Sequence, residues 1–84
     1  MVLGIPDVVA ALDDFLAGRL DAVGLEAWAE RRECAEDVDF VEADREILVE
    51  VIFLLANPSI NGVLTRERVE QVRGEILQYV RHAS

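Results

Sequence analysis

Eight carboxylates crowd the stretch from Glu33 to Glu50: Glu33, Glu36, Asp37, Asp39, Glu42, Asp44, Glu46 and Glu50. Acids this closely spaced suit a divalent cation, general acid–base chemistry, or a cationic partner. A calcium loop needs oxygen donors at its positions 1, 3, 5 and 12 and a glycine at 6. With Asp37 at position 1, Asp39 falls at 3, but Val41, Glu42 and Leu48 occupy 5, 6 and 12. The calcium pattern fails. Acid–base or nucleophilic chemistry needs companions on rigid elements. His82 is the one histidine, near the C-terminus; Cys34 is the one cysteine, and Ser59 and Ser84 are the two serines. One Cys and one His do not make a zinc site. No catalytic, metal or cofactor residue is assigned, no cofactor is expected, and the chain is read as a non-enzyme.

A cationic partner remains, set against the plainer reading of a solvated acidic face. The candidate docking residues are the acids Glu33, Glu36, Asp37, Asp39, Glu42, Glu46 and Glu50, with Val49 and Phe53 as an apolar anchor. Those two lie i, i+4 on a helix, away from its main apolar side. Either helix two or the 34–42 loop covers them, or they form an exposed patch.

Four helices must position these groups, at about 7–17, 21–33, 43–56 and 65–81. In the first, Val8, Val9, Leu12, Phe15 and Leu16 repeat at the spacing of one helix face, between Pro6-Asp7 and Gly18. Asp21 is placed to cap the second, with Leu20 and Leu25 as a hydrophobic staple and Leu25, Trp28 and Ala29 facing inward. Gly24 weakens that helix. The third is the most apolar, with Ile47, Leu48, Val51, Ile52, Leu54 and Leu55 forming a broad face, and Asn57-Pro58 ends it. Thr65 is placed to cap the fourth, where Leu64 and Val69 repeat the staple. Its inward face is read as Val69, Val72, Ile76, Leu77 and Val80, with Tyr79 at the edge. Arg73 on that face either snorkels at the edge or sits in a buried ion pair. The 34–42 stretch, with Val38 and Phe40 alternating with acids, is too short for a strand without a partner and is read as a loop. The expected fold is all-α: a compact four-helix bundle with a short acidic loop between helices two and three.

Composition narrows the partners. At 84 residues the chain has room for one domain, 1–84, and its 52% hydrophobic content alongside 30% charged residues describes a folding globule. Eight basic residues, all Arg, stand against seventeen acids, for a net charge of −9. Such a surface repels nucleic acid and anionic membranes and attracts basic proteins. The longest apolar stretch, Ile47 to Ala56, is interrupted by Glu50 and is well short of the roughly 20 residues a membrane helix needs. Met1 to Asp7 has neither a positive segment nor a small-residue cleavage site, so no secretory leader is expected. The lone Cys34 fits a reducing compartment, and a cytoplasmic location follows as an expectation.

The segment Leu12-Asp13-Asp14-Phe15-Leu16-Ala17-Gly18-Arg19-Leu20-Asp21, followed by Leu25 and Trp28, resembles the opening of small bacterial bacteriocin-immunity proteins of the colicin D type. Leu55 to Gly62 with Leu64-Thr65 is similar to small bacterial proteins without a characterised role. The resemblance implies a mechanism in which acidic side chains occupy the cationic substrate surface of a toxin. Immunity proteins of the DNase colicins share the acidic four-helix outline but carry a paired-tyrosine motif; Tyr79 here stands alone, which puts a nuclease partner in doubt. Carrier proteins are also small, acidic and four-helical, yet Asp21-Ala22-Val23 stands where their Asp-Ser-Leu attachment motif belongs. The reading is a non-catalytic module that binds a basic protein. The alternative is a homodimer that closes its core across helix three.

Overall fold

The computed structural model describes residues 2–34, 39–58 and 63–83. Among them are four α-helices: α1 Ile5–Leu16, α2 Ala22–Cys34, α3 Arg45–Ala56 and α4 Arg66–Ala83. Local chemistry explains their ends. α1 starts two residues before the sequence expectation because Asp7 reaches back to accept the Gly4 N–H at 2.9 Å, satisfying a donor at the helix start. After α1, Gly18 adopts φ +82°, the left-handed conformation that favours glycine. Asp21 accepts the Gly24 N–H at 2.7 Å, and Thr65 Oγ1 accepts the Arg68 N–H at 3.1 Å, so both expected caps are formed.

Gly24 has a packing reason. A Cβ there would sit 2.7 Å from Leu20 Cδ1 and 3.1 Å from Asp21 Oδ1, so the staple residue and the cap pack closely over this position and Leu20 would have to shift to admit a larger residue. Leu25, the other half of the staple, is fully buried, as is Val69 beside a nearly buried Leu64.

Three local expectations are corrected. First, the 34–42 stretch is not all loop: Asp39–Phe40 forms a two-residue strand, β2, paired in parallel with β1, Val2–Leu3. Its partner lies far back in the sequence, so no local alternation reveals it. Leu3 in that bridge is fully buried, which explains why so short a pairing holds. Second, Glu42–Asp44 forms a 3₁₀ turn, and α3 proper begins at Arg45. Third, Leu77 and Val80 do not face inward; each is 41% exposed. Leu77 lies about 100° past Ile76 on the helix, off the inward stripe. Val80 lies in the last turn of the 18-residue α4.

The core is a single cluster. Val8, Ala11 and Leu12 of α1, Leu25 and Ala29 of α2, Leu48, Val51, Ile52 and Leu55 of α3, and Val69, Val72 and Ile76 of α4 are all buried in it. Polar contacts tie α4 to α1: Arg66 Nη1 donates to the Leu16 carbonyl at 2.9 Å, and Arg73 Nε to Asp13 Oδ1 at 2.6 Å. Arg73 is therefore in an ion pair, at the rim rather than in the interior, with both side chains more than a third exposed. On α2, Arg32 stacks over Trp28 at 4.3 Å and donates to its carbonyl at 3.0 Å. Burial, with Arg31 nearby, holds the Arg32 guanidinium below its ordinary pKa, while Asp7 acts in the opposite direction. The Cα radius of gyration is 12.0 Å, close to the about 12 Å expected for a compact chain of this length. The fold is a small helical bundle with one two-residue parallel bridge, and no helix among the described residues is long and apolar enough to cross a membrane.

Candidate docking surface

α3 carries the candidate site because its sequence is apolar on more than one side. Leu48, Val51, Ile52 and Leu55 fill the core. At 100° per residue, Glu46, Val49, Glu50 and Phe53 fall on the opposite side within a single stripe. All four are exposed, with Val49 at 44% and Phe53 at 47%. The described parts of helix two and of the segment before α3 leave Val49 and Phe53 about half exposed. The stripe alternates charge and apolar surface along its length, and Glu42 in the preceding turn extends it.

A depression opens on each side of this stripe. On one side Phe40, Val49, Ile52, Phe53 and Glu33 surround a hollow of about 200 Å³. Its walls come from β2, α2 and α3, so the short parallel bridge that seats Phe40 also shapes the hollow. On the other side Ile47, Val51 and Leu54 of α3 and Val72 and Ile76 of α4 line a slot of about 100 Å³, flanked by Glu50 and Glu75.

The acids expected to act together are divided by the fold. Glu33 accepts a hydrogen bond from Asn57 Nδ2 at 3.2 Å, tying the ends of α2 and α3 together at the rim of the hollow. Asp44 is turned to Tyr79, whose hydroxyl lies 3.0 Å from Asp44 Oδ1 and 3.2 Å from the Ala43 carbonyl. That hydrogen bond to Asp44, with desolvation, raises the Tyr79 phenol above its ordinary pKa. Asp39, Glu42, Glu46 and Glu50 are exposed. Glu36 and Asp37 lie outside the described residues. Among the described residues, no three His, Cys, Asp or Glu side chains converge as a metal ion would require.

Two residues of this surface were not singled out by sequence reasoning. Ile52 belongs to the core face yet also forms a wall of the hollow. Glu75 sits between the inward positions Val72 and Ile76, and an acid at the border of an apolar stripe was its one visible signal. A third depression, of about 280 Å³, is lined by Ala22, Val23, Glu26, Pro58, Val63 and Leu64 beside residues 59–62, which are outside the described set. Its described lining residues include one carboxylate, Glu26, and no nucleophile. No protein family matches this chain, and neither a curated protein nor a solved structure does.

Proposed function

We propose that this chain is a non-catalytic binding module that docks the exposed α3 stripe on a basic protein in the cytoplasm. One observation carries the reading: Val49 and Phe53 stand half exposed beside a hollow of about 200 Å³ while Glu46 and Glu50 alternate with them. An apolar anchor set among like charges is the arrangement of a docking surface, where charge steers approach and excludes wrong partners while the anchor supplies most of the affinity. The net charge of −9 selects a cationic partner. In the manner of the immunity proteins that its first two helices resemble, the module would cover the cationic substrate surface of a toxin.

The test is a capture comparison in cells that make the protein. A basic protein retained by the wild type and lost by the Glu42→Lys, Glu46→Lys, Glu50→Lys triple variant, and again by Phe53→Asp, supports the reading. Equal retention by all three removes it. Light scattering at low and high salt reads the alternative. A salt-insensitive dimer that Phe53→Asp converts to monomer would put self-association through α3 in its place.

A further inference from the structure

The slot between α3 and α4 differs from the hollow in shape and in charge. Its walls are aliphatic, from Ile47, Val51 and Leu54 on one helix and Val72 and Ile76 on the other. Its flanks are two carboxylates on facing helices, Glu50 and Glu75. The Tyr79–Asp44 hydrogen bond joins the two sides about one helical turn beyond Ile76 and Ile47. A volume of about 100 Å³ suits one side chain and not a helix.

Neither Glu50 nor Glu75 takes part in an ion pair among the described residues, whereas across the other side of α4 Arg73 pairs with Asp13 of α1. A cation placed in the slot between two such acids would be attracted by both. Long basic side chains match both halves of this description, since their methylene stems lie along apolar surface while their heads stay with charge or water.

We propose that the α3–α4 slot receives one arginine or lysine side chain of a basic partner protein. The stem lies against Val51, Leu54, Val72 and Ile76, and the cationic head sits between Glu50 and Glu75. This inference rests on the docking reading above and adds to it the side chain that the partner must present. It also adds Glu75, which lies on a different helix from the α3 stripe, to the recognition surface.

The probes are butylguanidinium, guanidinium and butanol, titrated into the ¹⁵N,¹³C-labelled full chain and followed by NMR. Butylguanidinium should shift the methyl signals of Val51, Leu54, Val72 and Ile76 saturably, with an apparent Kd on the order of millimolar for so few atoms. Guanidinium and butanol should each bind more weakly at the same signals. Glu75→Gln and Glu50→Gln should each weaken butylguanidinium about two- to fivefold, the range of an exposed charge pair. Shifts spread over all the acids, equal for guanidinium and butylguanidinium in the wild type, would overturn the slot whatever the variants do. A helical peptide of leucine and lysine reads the broader proposal separately. Binding weakened by Glu46→Lys and Phe53→Asp but indifferent to Glu75→Gln overturns the slot and leaves the docking stripe standing. Indifference to all three takes both down.

Discussion

Helix α4 meets α1 and α3 in opposite ways. Toward α1 its polar groups are matched: Arg73 pairs with Asp13 at 2.6 Å, and Arg66 caps the Leu16 carbonyl at 2.9 Å. Toward α3 the seam is aliphatic, pinned at one end by Tyr79, with Glu75 facing Glu50 across an open slot. The first interface satisfies its charges internally and closes. The second has a carboxylate on each helix, Glu50 and Glu75, and neither takes part in an ion pair among the described residues.

The largest expected effect contrasts one substitution at the two seams. Leu12, fully buried on α1, should cost about 2–5 kcal/mol when changed to Ala, as truncations in a closed core do. Leu54→Ala removes a wall of a slot that is already open, and the cost should be about 1 kcal/mol because little new surface is lost from burial. Urea unfolding followed through Trp28 fluorescence measures both, and equal costs would erase the distinction between the seams. Next comes the ion pair. Asp13→Asn should destabilise by no more than about 1 kcal/mol, since both partners are more than a third exposed. A double-mutant cycle with Arg73→Gln should show favourable coupling that declines with salt.

Tyr79 tests the pinned end of the open seam. Its phenol is raised above the ordinary value by the hydrogen bond to Asp44, so the folded state holds that proton more tightly than the unfolded chain. The associated stability is fully present below the unfolded value of about 10 and is lost as pH rises through the folded one. Absorbance titration of the single tyrosine should place its midpoint above that of a free tyrosine, and Asp44→Asn should lower it. The smallest effect has the opposite sign to that of Asp13. Glu75→Gln should leave stability unchanged or raise it by up to about 0.5 kcal/mol at low salt, because it relieves repulsion and breaks no pair. Destabilisation there would mean that Glu75 serves the fold after all.

The positions that defined helices were legible because their chemistry is local. Asp21 and Thr65 cap where their spacing to apolar residues placed them, and Asn57-Pro58 lies just past the last residue of α3. The anomaly of Val49 and Phe53, apolar residues away from the main face, was visible in the same periodicity and corresponds to real exposure. Pairings between distant segments were not legible. The bridge from Val2 to Asp39 leaves no mark within either short stretch. Leu77 and Val80 satisfied a helical pattern, but a pattern cannot report which positions along a face the neighbouring helices cover. Glu75 was hidden for a related reason. Its meaning depends on Glu50, which only the packing of α3 against α4 brings to the same slot.

The contacts that fasten α4 to α1 join residues 50 and 60 positions apart. During synthesis α1 therefore leaves the ribosome long before the helix that completes its interface. Closing so long a loop is slow compared with packing α2 against α3, whose residues are near neighbours in the chain. The topology favours an order of assembly in which α2 and α3 associate first and carry the hollow beside Val49 and Phe53 with them. The slot comes last, because it has no second wall until α4 arrives.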